Sequence, residues 1–361
     1  LFATYSSHKV TTPSAYIGGV VTLCDEYVAN KEIFNVYEID VENYNYSMPS
    51  IKLPLGKFTS KIENVAYGYR QAKALKHYLR EHPETVVHIH TSRKALFFKD
   101  VLLAKYVYRK AKKVLMTIHV GDINTVFHNN YTKRFLINLM NKYIDTTIFL
   151  SKKMNQQFID SGLKVEHSTV LYNFYNIPTI SLESKPKNLI PRLIYLGSIN
   201  KEKGIIELLS ALFQVKYKVH LDLCGTIIEE SIKDSFEELL YRLGDKVTYH
   251  GYVDKTKKSQ LLSSADVLVL PSYREGLPIS ILEAMANSCA VVTTPVGAIP
   301  EILTEENAIF VEPKNIDQLQ CALEQVIENE NFRLRMQQNN FMKSKDFDKS
   351  VHIKRLCQLY H

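Results

Sequence analysis

The sequence predicts an α/β protein made of two doubly wound domains that face a cleft. Short apolar runs rich in β-branched residues alternate with longer segments of helical period along the whole chain. A polar stretch without period interrupts this alternation near the middle, and 361 residues is long for one ordinary domain. Ligands of doubly wound folds bind at the carboxyl ends of the strands, so we expect the functional residues there.

The first half predicts a parallel sheet covered by helices on both faces. Its strands are short runs rich in Val, Ile, Thr and aromatic residues, at 1–5, 35–39, 86–89, 114–118, 146–150 and 168–171. Its helices have apolar residues at three- and four-residue spacing, at 17–30, 62–80, 94–112, 132–143 and 151–160.

An N-terminal domain over 1–178, a linker over 179–191 containing SLESKPKN, and a second domain over 192–345 are expected. A final helix within 346–361 is assigned to the first domain. The second domain's predicted strands lie at 192–196, 218–223, 246–250, 266–270, 290–293 and 308–311. Its predicted helices lie at 203–213, 231–243, 255–263, 279–286, 315–328 and 330–341.

Composition indicates a globular cytoplasmic protein, with 45% hydrophobic and 23% charged residues. The sequence has no run of 18 apolar residues, so no membrane-spanning helix is predicted. The N-terminal LFATYSSHK lacks the basic start and the cleavage site of a signal peptide. The five cysteines form no C-x-x-C pair, so neither a thiolate metal site nor a disulfide framework is expected.

Positive charge is concentrated in the first half. Residues 1–180 carry 23 Lys and Arg against 14 Asp and Glu, whereas the remainder carries 22 against 24. Segment 93–113 alone has eight basic residues and one acidic residue. Two interpretations stay open: a sheet-covering helix with a solvated basic face, or a helix that binds an anionic membrane surface on the inner face of the plasma membrane. A nucleic-acid role is not expected, because no basic-aromatic module is present.

The segment PSYREGLPISILEAMA, residues 271–286, is the most informative one. A strand ends before it, and a helix begins near Pro278, where a missing N–H costs nothing. The backbone N–H groups of Gly276, Leu277 and the next turn are expected to form an anion site for a diphosphate. Glu275 precedes this helix and Glu283 lies within it, so the pair is placed to bind sugar and ribose hydroxyls. Taken singly, Glu275 is more often a helix-dipole carboxylate and Glu283 a surface salt bridge. The combination of strand, P-S, E-G-x-P and L-E-A-M is more specific and favours the binding interpretation.

In these residues the chain resembles the retaining glycosyltransferases of family four, which have the GT-B architecture of two Rossmann-like domains. The hallmark is Glu, seven residues, then Glu, matched by Glu275 and Glu283. The resemblance covers 192–312 and, more weakly, the first half. It implies that Glu275 contacts the donor sugar and Glu283 the ribose. It also implies a terminal helix that crosses back onto the N-terminal domain.

A second family landmark is LIYLGSINKEKGIIELLSAL, residues 193–212. The resemblance implies that Lys203 binds the diphosphate and neutralises leaving-group charge. The family commonly has Arg where this chain has Ser198, and Lys201 is the substitute we consider. We predict that Ser198 and Lys201 are both donor-binding residues.

Three positions in the first half match family landmarks. Gly18 and Gly19 stand where a glycine-rich loop approaches the donor phosphate. His119 ends the strand of VLMTIHVGD, where the family has a histidine that reaches the donor sugar, so His119 joins Glu275 as a catalytic candidate. Asn173 aligns at the domain junction as a donor-binding residue, with Phe174 in place of the usual glycine.

The resemblance implies transfer from a nucleotide diphosphate donor, which we expect to be a UDP-sugar. The acceptor is expected to be a glycan, carried by a lipid, in surface polysaccharide synthesis. Helix amides and Lys203 would stabilise the departing diphosphate, which could itself take the acceptor proton. Metal-dependent glycosyltransferases hold a cation with a D-x-D triplet. The motifs above contain none, so no metal or cofactor is expected; Asp346-Phe347-Asp348 lies outside them.

Three other classes of function share parts of this pattern. A sugar-nucleotide epimerase of the same architecture would have the cleft without the Glu-x7-Glu loop. A glycosidase needs two carboxylates that flank a glycosidic bond, whereas Glu275 and Glu283 are expected along one nucleotide. A non-catalytic sugar-nucleotide-binding subunit stays open as a minor alternative, because Ser198 stands in place of Arg.

Overall fold

The computed structural model of the chain describes residues 2–5, 19–43, 69, 72–92, 94–127, 129–175 and 185–361. The chain divides into two compact units: unit 1 is Leu1–Tyr172 with Ile353–His361, and unit 2 is Asn173–His352. The division falls between Tyr172 and Asn173, ahead of the boundary predicted at residue 178.

Unit 1 is a parallel α/β sheet. Its described strands are β1 Phe2–Tyr5, β2 Val41–Asn43, β3 Val86–Thr91, β4 Lys113–Ile118, β5 Thr146–Phe149 and β6 Ser168–Val170. Its described helices are α1 Gly19–Ala29, α2 Lys31–Asn35, α3 over 72–81, α4 Lys94–Val107, α5 Asn130–Tyr143 and α6 Lys152–Asp160. The strands lie in the order β2-β1-β3-β4-β5-β6. Every residue of β3 is buried, as expected for a central parallel strand with helices on both faces.

Unit 2 is a second parallel sheet. Its strands are β7 Arg192–Leu196, β8 His220–Cys224, β9 Val247–Gly251, β10 Val267–Leu270, β11 Ala290–Thr293 and β12 Ala308–Phe310. Its helices are α7 Ile205–Gln214, α8 Lys233–Leu243, α9 Lys255–Ser264, α10 Ile279–Ala286, α11 Ile299–Ile302, α12 Ile316–Glu328 and α13 Glu330–Ser344. A last helix, α14 Lys349–Tyr360, begins in unit 2 and ends in unit 1.

The strand order of unit 2 fixes where its site lies. The order is β12-β11-β10-β7-β8-β9, so the chain runs outward from β7 in one direction and from β10 in the other. Strands β7 and β10 are neighbours in the parallel sheet. Such a reversal of direction leaves a crevice at the carboxyl ends of the two central strands. The segments after β7 and β10 are the two that the sequence singled out.

The strand predicted at 35–39 is wrong. The residues instead end helix α2 in a Schellman motif, with Glu38 left-handed at φ 59°. The Ile39 N–H bonds the Phe34 carbonyl at 3.2 Å, and the Glu38 N–H bonds the Asn35 carbonyl at 3.0 Å. Phe34 and Ile39 are both buried, which supplies the apolar contact typical of this motif. Capping and burial thus outweigh the β-propensity of the segment, and the strand follows at β2.

The C-terminal end of α14 is hydrogen-bonded to strand β4 of unit 1. Lys113 Nζ donates to the Leu359 carbonyl at 2.7 Å, a favourable place for a cation at a helix C-terminus. The Asp346-Phe347-Asp348 triplet precedes α14. Asp348 accepts the Ser350 N–H at 2.8 Å as a cap, and Asp346 pairs with Lys343 at 2.8 Å. None of the helices in the described ranges combines the length and the apolar character needed to cross a membrane.

Gly225 offers a test of this packing. Its φ is +157°, and a Cβ there would lie 1.7 Å from the Gly197 carbonyl O. We expect Gly225→Ala to lower the free energy of unfolding by about 3 kcal/mol or more. Gly251→Ala is the matched control, because Gly251 has φ +63° with open space around its Cβ position, and about 1 kcal/mol is expected. Urea unfolding of both variants measures the difference. Equal losses would contradict the close approach of β7 and β8 loops.

Candidate active site

The segment after β7 forms a hydrogen-bonded turn. Asn200 caps a short 3-10 helix, Lys201–Lys203: its Oδ1 accepts the Lys203 N–H at 3.1 Å, and its Nδ2 donates to Ser198 Oγ at 2.9 Å. The buried Tyr195 hydroxyl donates to the Ser198 carbonyl at 2.9 Å. Burial raises the pKa of Tyr195, which keeps this donor protonated. Ser198, which stands where the family pattern has Arg, is thus engaged in holding the turn.

Gly204 brings the two loops at the strand reversal into backbone contact. It is left-handed, with φ +67°, and lies between the 3-10 helix and α7. A Cβ at this position would lie 2.2 Å from the Pro271 carbonyl O, which follows β10. Because glycine alone has no Cβ, it permits this approach. The turn that carries Lys203 is therefore held against the loop after β10.

An ion pair joins the same two loops. Lys203 Nζ donates to Glu275 Oε1 at 2.5 Å, and the two side chains are 25% and 9% exposed. The backbone adds a bond from the Tyr273 N–H to the Glu202 carbonyl at 2.7 Å. A charge-assisted bond at such low exposure is stronger than an ordinary surface salt bridge. It places a cation beside a carboxylate at the carboxyl edge of the sheet.

The loop after β11 supports the loop that carries Glu275. Gly297 has φ +60°, and a Cβ there would lie 2.2 Å from the Glu275 carbonyl O and 2.5 Å from that of Gly276. The next residue, Ala298, donates its N–H to the Gly276 carbonyl at 2.8 Å. Three strand-end loops, after β7, β10 and β11, therefore fix the backbone at Glu275 and Gly276.

Helix α10 begins directly after this loop. Pro278 is its N-cap, with φ −66°, and supplies no side-chain cap. Ile279 and Ser280 open the first turn, where N–H groups have no acceptor within an α-helix, whereas the Ile281 N–H donates to the Pro278 carbonyl at 3.2 Å. The helix dipole adds a partial positive charge at this end. This geometry suits a phosphate group.

Glu283 lies in α10 and is buried, at 5% exposure. Lys258 of α9 donates a hydrogen bond from Nζ to Glu283 Oε1, forming a second lysine–glutamate pair. The interpretation of Glu283 as a surface salt bridge is therefore wrong, since the pair is largely withdrawn from solvent. Sequence reasoning missed Lys258. The basic run at the start of α9 was the available signal, with 258 facing inward where 255 and 257 are exposed.

Asn173 and Lys201, two predicted donor-binding residues, take part in loop contacts in this structure. Asn173 is buried, and its Nδ2 donates to the Leu277 carbonyl at 2.8 Å. Lys201 is exposed, and its backbone N–H donates to Glu229 Oε2 at 2.9 Å, a bond that lowers the pKa of Glu229. Their contact with a donor stays a prediction.

In unit 1 the residue of interest is His119, which follows β4. Its side chain is half-buried, and its backbone N–H donates to the Thr91 carbonyl at 2.9 Å. Thr91 is the last residue of the neighbouring strand β3. Its Nε2 lies 2.9 Å from Nδ1 of His90. Burial lowers the pKa of His119 to about 3, so the ring is neutral at physiological pH. The structure thus gives His119 the character of a hydrogen-bonding group and not of a cation.

The structure brings the predicted residues of unit 2 together. Lys203, Glu275, Gly276, Leu277 and Asn173 are linked by the contacts above. Pro278 and Glu283 continue the same segment into α10. Gly18 lies outside the described residues, and Gly19 is the first residue of α1. Within the described ranges, no three His, Cys, Asp or Glu side chains are grouped closely enough to hold a metal ion.

Comparison with known proteins bears on this site and fold. Residues 180–342 match the family model described as glycosyl transferases group 1. The N,N'-diacetylbacillosaminyl-diphospho-undecaprenol alpha-1,3-N-acetylgalactosaminyltransferase of Campylobacter jejuni is 26% identical over 245 residues, which cover 63% of this chain and 64% of that one. The chain spans about a third to two thirds of the length of the curated relatives it matches.

Solved structures resemble the chain over almost its whole length. The sucrose-phosphate synthase of Thermosynechococcus elongatus has a TM-score of 0.77 at 18% identity, covering 99% of this chain and 98% of that one. Anabaena HepE in complex with UDP and glucose has a TM-score of 0.71 at 17% identity, with the same coverage. At such identities the likeness concerns the fold.

The two parallel-sheet units and these neighbours define a protein of the GT-B glycosyltransferase fold. The match to the group 1 glycosyl transferases, residues 180–342, contains the loops after β7, β10 and β11. The resemblance drawn from the Glu-x7-Glu segment and the predicted fold class are confirmed.

The Lys258–Glu283 pair can be tested by stability. Lys258→Met leaves a buried carboxylate without its cation, and we expect the free energy of unfolding to fall by about 2 kcal/mol, less than for a fully buried pair because Lys258 is partly exposed. Lys257→Met, an exposed lysine of the same helix, should change it by less than about 0.5 kcal/mol. Urea unfolding provides the measurement. If the two variants lose the same stability, the pair has no special role.

Proposed function

We propose that this chain is a retaining glycosyltransferase that moves a sugar from a nucleotide diphosphate donor, a UDP-sugar, to a hydroxyl of a lipid-linked glycan in surface polysaccharide synthesis. One observation carries the proposal: Lys203 and Glu275 form a partly buried pair where the loops after β7 and β10 meet, directly before the start of α10. A cation, a helix N-terminus and a carboxylate at one place suit a diphosphate joined to a sugar.

Relatives support the finer parts of this proposal. A fold neighbour, Anabaena HepE, has been solved with UDP and glucose, which favours a UDP-sugar for this chain. The Campylobacter jejuni relative is named for transfer to a diphospho-undecaprenol carrier, which favours an acceptor on a lipid diphosphate. These two names favour a hexose or an N-acetylhexosamine as the transferred sugar.

The proposed mechanism follows from the leaving group. The bond from the anomeric carbon to the phosphate oxygen breaks, and Lys203 with the first-turn amides of α10 stabilises the negative charge that develops. The acceptor hydroxyl bonds to the anomeric carbon on the same face, and the departing phosphate oxygen takes its proton. Glu275 accepts hydrogen bonds from sugar hydroxyls, and neutral His119 bonds a further one. Because positive charge comes from Lys203 and the amides, we propose that no metal is required.

Two other functions share the binding site. A sugar-nucleotide epimerase would convert the donor when no acceptor is present. A non-catalytic binding subunit would hold the donor without turnover. Both predict binding at Lys203 and Glu275, so binding alone does not separate them from a transferase, and the products must be measured.

Donor binding and turnover together test the transferase proposal. A matching UDP-sugar should raise the unfolding temperature of the full chain, because at 100 times its dissociation constant a ligand stabilises the folded state by about 2.7 kcal/mol. EDTA should leave this shift and the rate unchanged. Glu275→Gln should lower kcat roughly 100-fold, while Lys246→Met, in the turn just before β9, should have no effect. Donor conversion without acceptor would favour an epimerase, and tight binding with no product from any glycan acceptor would favour a binding subunit.

A membrane surface is the proposed location of the acceptor, and unit 1 has a face that fits it. Helix α4 buries Phe97, Val101, Ala104 and Val107, so it covers the sheet as the ordinary interpretation requires. Its outer side also exposes Phe98 and Leu102, one turn apart, followed by the exposed Lys105 and Arg109.

Helix α5 packs against α4 and has a similar exposed side. It exposes Tyr131 and Phe135 one turn apart, with the exposed Arg134 beside them. Aromatic side chains among basic residues suit the headgroup region of an anionic leaflet. We propose that this face, defined by Phe98, Leu102, Tyr131 and Phe135, contacts anionic lipid.

Vesicle sedimentation tests the proposed lipid contact. At low salt the chain should pellet with phosphatidylcholine vesicles containing one part in three of phosphatidylglycerol, and remain in solution with phosphatidylcholine alone. Tyr131→Ser with Phe135→Ser should reduce binding at least about tenfold, since each buried aromatic contributes more than roughly 1 kcal/mol. The matched control is Tyr241→Ser with Phe213→Ser, because Tyr131 and Tyr241 are both 89% exposed and Phe213 is 45% exposed in unit 2. Equal loss in both double variants would contradict the proposal.

A further inference from the structure

Three histidines meet on two neighbouring strands of unit 1. His88 and His90 are two residues apart in β3 and therefore lie on one face of the sheet. The parallel register sets His90 beside Thr117 of β4, and His119 follows that strand's end. The ring centroids of His88 and His90 are 4.2 Å apart, and those of His90 and His119 are 5.2 Å apart and stacked. Of the three, only His119 was a candidate from its position in the sequence.

The inner two rings are withdrawn from solvent, at 0% exposure for His88 and 1% for His90. His88 is anchored on both sides: its Nε2 lies 2.7 Å from Thr117 Oγ1, and its Nδ1 lies 2.9 Å from the Tyr360 hydroxyl of α14. The ring of Tyr27, from α1, packs 5.8 Å from His90. These neighbours fix where His90 lies, and His90 in turn contacts His119.

The contact between His90 Nδ1 and His119 Nε2, at 2.9 Å, has a chemical consequence. Two imidazole nitrogens at this distance share one proton, so one ring donates and the other accepts. If His90 donates, the hydrogen of neutral His119 is on Nδ1, which then offers a donor. If His119 donates, its Nδ1 offers an acceptor. The partner ring therefore decides what His119 presents to a ligand.

We propose that His90 is a positioning residue that holds His119 in one neutral tautomer and one ring orientation. The inference rests on the proposed function, since it takes His119 as the group that bonds a hydroxyl of the donor sugar. A hydrogen-bonding group must keep both its direction and its donor or acceptor character through the reaction. His90 supplies both constraints without contacting the donor itself.

Nitrogen NMR of the full chain, labelled with ¹⁵N histidine, reads the tautomer of His119 directly and needs no donor or turnover. His119→Gln assigns the signals by their loss. In the unsubstituted protein we expect one neutral tautomer. In His90→Phe, which keeps an aromatic ring of similar volume, we expect the two His119 nitrogens to shift toward the averaged values of mixed tautomers. His90→Leu carries the same expectation if the Phe variant does not fold.

His88→Phe is the matched control, because it keeps a ring packed beside His90 on the same strand and face, while both ring nitrogens of His88 bond to Tyr360 and Thr117. It should leave the His119 signals unchanged, whatever it does to stability. An unchanged tautomer in His90→Phe and His90→Leu, or an equal change in His88→Phe, would overturn the proposal. These outcomes stand whether or not the chain transfers sugar.

Kinetics with the donor found by thermal shift then connects the pair to catalysis. We expect His90→Phe to lower kcat roughly 10- to 100-fold with KM for the donor within about threefold, because a mispositioned group acts mainly on the transition state. His90→Asn, whose amide can occupy the place of Nδ1, should recover at least about a third of the lost activity on a logarithmic scale. A tautomer shift without loss of kcat would refute the catalytic use of His119, and so the proposed mechanism, while leaving the positioning by His90 intact.

Discussion

The close approach of backbone to backbone at the carboxyl edge of the second sheet is the constraint on which the site depends. Gly204 and Gly297 each permit a contact in which a Cβ would lie 2.2 Å from a carbonyl oxygen, of Pro271 in one case and of Glu275 in the other. Side chains could not set these loops so precisely, because they have rotamer freedom that a backbone contact lacks. Lys203 precedes one of these glycines, and Glu275 is the residue the other contacts. The ion pair is therefore a consequence of how the loops are packed.

Both acidic residues of the segment are neutralised by lysines from other elements: Glu275 by Lys203 in the turn after β7, and Glu283 by Lys258 in α9. A carboxylate at such low exposure would otherwise be costly to bury. The same arrangement suits a ligand that carries both negative charge and hydroxyl groups. In the proposed reaction a diphosphate would compete with Glu275 for Lys203, while hydroxyl groups would donate to the carboxylate that is partly released. Lys203 and Glu275 would then both keep a partner, which would limit the free-energy cost of opening the pair.

The sequence correctly predicted those parts of the structure that depend on local residue pattern. Continuous apolar runs predicted β7 and β11 at their observed bounds, and Pro278 predicted where α10 begins. The wrong strand at 35–39 shows the limit of local pattern, because a left-handed Glu38 and the joint burial of Phe34 and Ile39 decided the outcome. Lys258 and His90 were missed for another reason. Each acts on a residue 25 or 29 positions away, and only the packing of helices or the register of parallel strands brings them together.

The candidate residues of the two units differ in charge: those of unit 2 are ionised, whereas His119 of unit 1 is neutral. In unit 2 the candidates Lys203, Glu275 and Glu283 are ions held in pairs. In unit 1 burial lowers the pKa of His119 to about 3, so at neutral pH it acts only through hydrogen bonds. A charged imidazole would need an anion of its own and would be costly among Val120 and its apolar neighbours. A neutral ring avoids that requirement, but its usefulness then depends on where its single proton is held. This is why a second buried imidazole at hydrogen-bonding distance is a more suitable partner than a carboxylate, which would favour the charged form.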